Sequence, residues 1–335
     1  MRSVRTAFRS WCKSRPALAA LGLGGILLAG CRTAPAPGRS PVHALLPVPV
    51  AARVGDEIIV AGQFFHTGTR VVTWREPGGY NAYRAGQAAG PPAAGSAKAA
   101  FGVRAMLPPN SPGPLDLAVL QRSVDQFVLH YDGSGLSRMC FAVLQQRELS
   151  VHFMLDVDGT VYQTLDLRER ALHATVANDR SIGVEIANIG AYPPGETKML
   201  TEWYQRDATG RTSLKLPYKT GVSPTRIANF HGAPARPGLV KGVIQGKELQ
   251  QYDLTPEQYA ALTRLTAALC RVFPRIKCDY PHDSAGRPWP RKLPDAVLEN
   301  YHGVLGHYHI QENKVDPGPA LDWDKLIEGA RRLVK

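Results

Sequence analysis

Two short apolar runs that each end in a histidine constrain the fold of this chain most strongly. Residues 124–130 read Val-Asp-Gln-Phe-Val-Leu-His, and residues 304–307 read Val-Leu-Gly-His. Both runs are typical of buried strands, so His130 and His307 fall at strand ends. In open α/β sheets, ligands bind at the carboxyl ends of the strands, where such side chains emerge into a cleft. The pattern therefore predicts a functional site built from two strand ends.

Asp316 completes a donor set that suits zinc. It follows His307 by nine positions, in the segment Lys-Val-Asp-Pro-Gly-Pro. Pro317 and Gly318 favour a tight turn, which can bring the carboxylate back toward His307. Catalytic zinc sites use three protein ligands of this kind and keep one position open for water. We therefore expect His130, His307 and Asp316 to bind Zn²⁺.

Strand and helix signals alternate from about residue 115 to the end of the chain. Helical patterns cover residues 136–147 and 324–333. Strands are predicted over residues 124–130, 151–155, 160–164, 181–187 and 304–307. This alternation predicts an α/β fold over residues 115–335, with a central mixed β-sheet flanked by helices.

A long irregular segment precedes the strongest helix signal. Residues 190–253 are rich in Gly, Pro and Lys, and they are too many for an ordinary connection, so we expect a functional insertion. Thr255 then offers an N-cap, Pro256 suits the first helical position, and Gln258 can complete a capping box. Apolar residues recur at helical spacing from there to Val272, which predicts a helix with one buried face.

Residues 45–114 are predicted to form a small β element ahead of the main domain. Strand-forming runs cover residues 57–61 and 70–74, with Gly68 in the turn between them. An Ala-, Gly- and Pro-rich stretch over residues 85–100 predicts a loop.

The amino terminus has the features of a bacterial lipoprotein signal. Five basic residues and no acidic residue precede Cys31, and an apolar run over residues 17–29 is short for a membrane-spanning helix. The run ends in Leu-Ala-Gly-Cys, which resembles a lipobox. We therefore predict a signal peptide over residues 1–30, lipidation of Cys31, and a Pro- and Ala-rich tether over residues 31–44. An ordinary signal peptide followed by an unrelated cysteine is the alternative.

The residue after the lipidation site bears on where the protein is anchored. In some bacteria, an aspartate directly after the lipidated cysteine is associated with retention in the inner membrane. Here that position is occupied by Arg32. We therefore expect a lipid anchor in the outer membrane, with the protein facing the periplasm.

The charge balance narrows the range of partners. The net charge of +12 includes +5 from the residues before Cys31, which leaves +7 for the mature chain. A net positive charge favours binding to an anionic polymer such as peptidoglycan, or to a membrane surface. No recognition-helix, zinc-finger or aromatic-basic pattern favours nucleic acid. No pattern signals oligomerisation, so we expect a monomer.

Three cysteines follow the lipidation site, namely Cys140, Cys270 and Cys278. Cys270 and Cys278 flank a short segment and can form a disulfide in an oxidising periplasm. Two unpaired thiols are the alternative. The cysteines have no four-ligand zinc spacing.

Five short motifs occur in the order found in type 2 N-acetylmuramoyl-L-alanine amidases, a family that shares its fold with phage-type amidases and peptidoglycan recognition proteins. They are Val-Leu-His-Tyr at 128–131, His-Phe at 152–153 with Asp-Gly-Thr-Val-Tyr-Gln at 158–163, Ser-Ile-Gly-Val-Glu at 181–185, Gly-His at 306–307, and Lys-Val-Asp-Pro-Gly-Pro at 314–319. The resemblance covers roughly residues 124–323, interrupted by the insertion. Each motif is weak alone, but five in order make the resemblance specific.

The resemblance implies a role for each matching side chain. It assigns Zn²⁺ binding to His130, His307 and Asp316. It makes Glu185 the general base and Lys314 the group that stabilises the oxyanion. These roles agree with the chemistry, because a carboxylate can shuttle the proton and an ammonium can meet charge developing on the carbonyl oxygen.

The resemblance also places His173 and Asn178 where the family contacts its substrate. For His173, a structural role is the alternative. The chain departs from the family pattern at His309, where many members have Asp two residues after the second histidine. The spacing from His307 to Asp316 is also one residue shorter than in many relatives.

The activity implied is zinc-dependent hydrolysis of the amide bond between N-acetylmuramic acid and L-alanine in peptidoglycan or muropeptides. A non-catalytic peptidoglycan-binding module of the same fold is one alternative, and a zinc peptidase acting on the stem peptide is another. Recognition proteins that have lost hydrolysis typically lack a zinc ligand. The ligands and both catalytic candidates are present here, which favours the enzyme.

Overall fold

The computed structural model describes residues 45–84, 101–104, 116–218 and 222–335. The predicted signal peptide over residues 1–30, Cys31, the tether over residues 31–44 and the loop over residues 85–100 lie outside the described residues. They therefore stay predictions. No helix in the described part of the chain is long and apolar enough to cross a membrane.

Strands and helices alternate through the described residues. The strands are β1 (Glu57–Val60), β2 (Gln63–His66), β3 (Val71–Thr73), β4 (Phe101–Val103), β5 (Gln126–Tyr131), β6 (Phe153–Leu155), β7 (Val161–Gln163), β8 (Glu169–Ala171), β9 (Ser181–Ile186), β10 (Tyr204–Arg206), β11 (Thr212–Leu214), β12 (Val240–Ile244), β13 (Lys247–Gln251) and β14 (Gly303–Gly306). The α-helices are α1 (Leu117–Ser123), α2 (Ser137–Gln146), α3 (Lys198–Trp203), α4 (Pro256–Val272), α5 (Asp295–Glu299) and α6 (Trp323–Val334).

A six-stranded mixed sheet forms the centre of the fold, in the order β14-β5-β9-β6-β7-β3. β5 runs parallel to both of its neighbours, with Leu129 opposite Gly306 of β14 and His130 opposite Glu185 of β9. β6 and β7 are antiparallel to each other. The predicted α/β fold with a central mixed sheet flanked by helices is confirmed.

Successive side chains along β5 and β9 point to opposite faces of the sheet. Phe127 and Leu129 of β5 share one core with Ile182 and Val184 of β9 and with the apolar faces of α4 and α6. His130 has the opposite parity, so it projects from the other face. α2 packs on that other face, where Cys140 and Leu144 contact a separate cluster with Met154 and Val72.

The capping box predicted for α4 is present. The Thr255 hydroxyl oxygen accepts a hydrogen bond from the Gln258 amide, and the Gln258 side chain accepts one from the Thr255 amide. An N-cap of this kind stabilises a helix by about 1 kcal/mol. Leu262, Leu265 and Leu269 then bury the predicted apolar face of the helix.

The strands predicted over residues 57–61 and 70–74 are present as β1 and β3, but they do not pair with each other across the turn at Gly68. β1 pairs instead with β2, around a two-residue turn at Ala61 and Gly62, and both turn residues have positive φ. That is the backbone of the tight turns that fit the twist of a hairpin. β3 pairs in parallel with β7 and becomes an edge strand of the central sheet.

The described residues of the segment predicted as an insertion, 190–218 and 222–253, form one short helix and two hairpins. β10 pairs with β11, and β12 pairs with β13. Beyond the insertion, Cys270 and Cys278 are both free thiols, so of the two alternatives the structure shows unpaired cysteines.

Candidate active site

The three predicted zinc ligands meet at the carboxyl ends of β5 and β14. Nδ1 of His130 lies 3.0 Å from Nδ1 of His307 and 2.9 Å from Oδ2 of Asp316. Nδ1 of His307 lies 3.0 Å from the same carboxylate oxygen. All three residues are buried, and their three donor atoms form a compact triangle.

This triangle has the dimensions of a zinc site. Tetrahedral Zn²⁺ with bonds of about 2.0–2.2 Å to nitrogen and oxygen places its ligand atoms about 3.3 Å apart. Distances of 2.9–3.0 Å between the two ring nitrogens and the carboxylate oxygen are close to that value. The donor set therefore fits zinc.

The local fold explains how residues so far apart in sequence converge. β5 and β14 are parallel neighbours, so His130 and His307 follow directly from paired positions. The chain then makes a short helical turn at residues 307–309, and a hydrogen bond from the Tyr308 amide to the Asp316 carbonyl closes the loop behind it. The peptide bond between Asp316 and Pro317 is cis.

The buried environment holds His130 and Asp316 in the protonation states that metal binding needs. Burial, together with the neighbouring His307, lowers the pKa of His130 to about 4, so its ring is neutral at physiological pH. Burial by itself raises the pKa of Asp316. Hydrogen bonds and charge from His130 and His307 outweigh that effect and hold the pKa of Asp316 well below its usual range.

The outer nitrogens of both ligand histidines also have partners. Nε2 of His130 lies 3.0 Å from Nδ1 of His173, and Nε2 of His307 lies 2.6 Å from Oε1 of Gln311. Partners of this kind fix the tautomer and the orientation of metal-binding rings. Sequence reasoning missed Gln311, although its position four residues after His307 in a helical turn is a usable signal.

Glu185 and Lys314 face the same cavity as the three ligands. The cavity has a volume of about 590 Å³, and His130, His307 and Asp316 line it together with these two side chains. Burial raises the pKa of Glu185 well above its usual value, and the nearby Asp316 adds to the rise. The positive charge of Lys314 acts in the opposite direction and lowers the pKa of Glu185.

The two predicted substrate-binding residues also line the cavity. His173 contacts His130 through Nδ1, and its Nε2 lies 3.3 Å from the Ser181 hydroxyl. The side-chain oxygen of Asn178 accepts hydrogen bonds from the backbone amides of His173 and Ala174. Both residues have structural partners at the cavity wall, and their contact with substrate stays a prediction.

Two further histidines near the site are not in the metal group. His152 accepts a hydrogen bond from the Gly183 amide through Nδ1, and its Nε2 donates to the Glu169 carbonyl. His309 accepts from the Gly306 amide and donates to the Trp289 carbonyl. Both rings are fully buried and their hydrogen bonds connect backbone segments, while Nε2 of His152 also lies 3.1 Å from Nη2 of Arg104.

A second group of potential ligands in the described residues comprises Asp56, Glu57 and His66 on the β1–β2 hairpin. Its carboxylates already have backbone partners. Asp56 accepts from the Gly68 amide, and Glu57 accepts from the Gly55 amide. These hydrogen bonds stabilise turns, and they give both carboxylates a structural role.

The family model described as N-acetylmuramoyl-L-alanine amidase matches residues 120–319. This chain belongs to that amidase family. The match spans every predicted metal-binding and catalytic residue, and it confirms the predicted family and enzyme class. A comparison with curated proteins finds no match.

Solved amidase structures are similar to the chain at low identity. The selenomethionine derivative of AmpD is 17% identical, with a TM-score of 0.32, and the alignment covers 70% of this chain and 90% of AmpD. The endolysin amidase LysCS from Clostridium intestinale URNW is 13% identical, with a TM-score of 0.33 and coverage of 63% and 86%. AmiD from E. coli, solved with the substrate anhydro-N-acetylmuramic acid-L-Ala-D-gamma-Glu-L-Lys, is 17% identical, with a TM-score of 0.34 and coverage of 62% and 57%.

Proposed function

We propose that this amidase requires zinc and hydrolyses the amide bond between N-acetylmuramic acid and L-alanine in peptidoglycan or muropeptides. One observation carries the proposal. Nδ1 of His130, Nδ1 of His307 and Oδ2 of Asp316 converge within 3.0 Å of one another, in a cavity that Glu185 and Lys314 also line.

The chain's own groups fit the steps of amide hydrolysis. When bound by the two histidines and the aspartate, zinc supplies a Lewis acid that polarises the carbonyl and activates water at neutral pH. Glu185 accepts the proton of the attacking water and delivers it to the leaving amine. Its raised pKa suits that exchange, because a group that both takes and gives a proton works best near the operating pH. Lys314 brings a positive charge to the negative charge that develops on the carbonyl oxygen.

The purified protein tests this proposal directly. We expect about one zinc per chain and the release of intact stem peptides from muropeptides, measured by metal analysis and by mass spectrometry of the products. Muropeptides that stay intact with zinc-loaded protein would favour the non-catalytic binding module. Products cut between stem residues would show a peptidase instead.

We also propose that the protein is a lipoprotein of the outer membrane, anchored through Cys31. The lipobox-like segment and Arg32 support this location. In cells fed a labelled fatty acid, we expect the label in the wild type and none in Cys31→Ser. Equal labelling of both proteins, or recovery of the wild type in the inner-membrane fraction, would contradict the proposal.

A further inference from the structure

Arg104 is a buried cation that lies outside the residues matched by the amidase family model. It directly follows β4, its side chain is 1% exposed, and the matched region begins only at residue 120. Burial lowers the pKa of Arg104 to about 10, so the guanidinium is still charged at neutral pH. Buried charges of this kind need extensive hydrogen bonding, so the partners of Arg104 indicate its role.

The guanidinium donates hydrogen bonds to backbone carbonyls in two separate segments of the chain. Nε and Nη2 donate to the carbonyl of Leu167 at 3.3 and 3.1 Å. Nη1 donates to the carbonyls of Asn178, Asp179 and Ser181 at 3.3, 2.9 and 3.0 Å. A single side chain therefore fixes the path of the chain as it enters β9, the strand that carries Glu185.

The segment that Arg104 fixes also holds His173. The Asn178 side chain accepts hydrogen bonds from the backbone amides of His173 and Ala174, and the Ser181 hydroxyl faces Nε2 of His173. Gly183 leaves room for the ring, because a Cβ at that position would lie 2.5 Å from Nδ1 of His173. The position of the imidazole is thus set by the side chains of Asn178 and Ser181, whose backbone carbonyls accept hydrogen bonds from Arg104.

His173 in turn contacts the metal-binding histidine. When Nδ1 of His130 binds a metal, its proton lies on Nε2, which is 3.0 Å from Nδ1 of His173. Nδ1 of His173 can accept a hydrogen bond from that N–H only in the tautomer that carries its own hydrogen on Nε2, toward Ser181. Hydrogen-bond contacts therefore connect Arg104 to His130 through Ser181 and His173.

We infer that Arg104 is a positioning residue for the candidate metal centre, which it supports by fixing the 178–181 segment and, through His173, the ring of His130. This inference rests on the proposed zinc dependence. It assigns a functional part to a segment that precedes the matched family region.

Zinc affinity and a cobalt spectrum test the inference in the full-length protein. The dissociation constant for zinc is measured by chelator competition, and the visible absorption of the Co²⁺-substituted protein reports the geometry of the ligands. In Arg104→Met we expect zinc binding to weaken about 10- to 100-fold, as for other partners of metal ligands, and the cobalt bands to shift. Arg104→Lys should recover part of the affinity, because an ammonium can still donate to some of the carbonyls.

Arg170→Met is the matched control. Arg170 belongs to the same region, but its guanidinium pairs with the Asp179 side chain at 2.8 Å and not with the backbone that holds His173. We expect its zinc affinity to stay within about twofold of the wild type and its cobalt spectrum to be unchanged. A folded Arg104→Met protein that behaves like this control would overturn the inference.

Gly183→Ala keeps the test decisive if Arg104→Met does not fold. The added methyl group displaces the His173 ring without touching Arg104, so zinc binding should weaken and the cobalt bands should shift. Wild-type values in Gly183→Ala would refute the step through His173. A wild-type protein that binds no zinc would instead remove the proposed zinc dependence, and this inference with it.

Discussion

Gln251 stabilises the loop that carries Asp316 through hydrogen bonds to two of its backbone groups. Its Nε2 donates a hydrogen bond to the Pro317 carbonyl at 3.2 Å, and its Oε1 accepts one from the Ala320 amide at 3.0 Å. Gln251 lies on β13, within the segment predicted as an insertion. At the other end of the same hairpin, Gln245 donates to the carbonyls of Tyr308 and Gln311, next to the second ligand histidine. The hairpin thus supports both ligand-bearing loops.

We predict that Gln251→Met weakens both the fold and the metal site. Methionine has a similar length but cannot replace the hydrogen bonds to Pro317 and Ala320. Buried groups left without partners cost about 1–3 kcal/mol of unfolding free energy, and we expect zinc affinity to fall about tenfold. Chelator competition and urea unfolding measure the two effects. Gln250→Met, one residue away, is the control, and an equal loss of zinc affinity in both variants would contradict the prediction.

Glu185→Gln should separate metal binding from catalysis. The amide keeps the size of the carboxylate but cannot exchange a proton, so we expect turnover of muropeptides to fall about 10²- to 10⁴-fold. Zinc content should stay near that of the wild type, because Glu185 is not one of the three converging ligands. Metal analysis beside a product assay measures both quantities. Unchanged turnover would remove Glu185 from the mechanism.

Lys314→Met should lower kcat about 10²- to 10³-fold, because it removes a donor aimed at developing negative charge. Lys314 is not one of the three converging groups, and its ammonium would repel a bound cation, so its loss should not weaken zinc binding. Steady-state kinetics and chelator competition check the two parts of this prediction. The surface variant Lys241→Met is the control for a general effect of lost charge. If kcat falls equally in both variants, Lys314 has no specific role.

The strand-end histidines were predictable because local pattern and global topology agree there. The apolar runs before His130 and His307 form adjacent parallel strands, so the two rings must emerge at one edge of the sheet. The turn at Pro317 and Gly318 likewise returns Asp316 to them. For these three residues, periodicity and turn chemistry predicted the placement, and the resemblance to the amidase family implied the role as ligands.

The supporting residues were not predictable from the sequence. Arg104 is a single cation in the apolar stretch Phe-Gly-Val-Arg-Ala-Met-Leu at 101–107, and nothing in that stretch identifies the backbone carbonyls to which it donates. Gln251 belongs to a segment without clear periodicity, and its partners in the Asp316 loop are backbone groups 66 and 69 residues away. The pairing of β3 with β7 was also missed, because a three-residue edge strand acquires its partner only from the tertiary fold.

Asp156 makes the stability of the protein depend on pH. Its carboxyl is buried beside the turn between β6 and β7, where it accepts a hydrogen bond from the Val157 amide. Burial, with a contribution from Asp158, raises the pKa of Asp156 to about 8. This folded-state pKa lies above the unfolded value of about 3.9. The contribution of the protonated Asp156 carboxyl to the free energy of unfolding is therefore fully present below pH 4, and it is lost as the pH rises toward 8.

Asp156→Asn should therefore stabilise the protein more at alkaline pH than at acidic pH. Asparagine keeps the oxygen that accepts from Val157 but has no proton to lose. Between pH 5 and pH 8, we expect the unfolding free energy of the variant to gain on the wild type by on the order of 2 kcal/mol. Urea unfolding of both proteins at the two pH values measures the difference. A constant difference would mean that Asp156 keeps the same charge in the folded and unfolded states across this range, which its burial opposes.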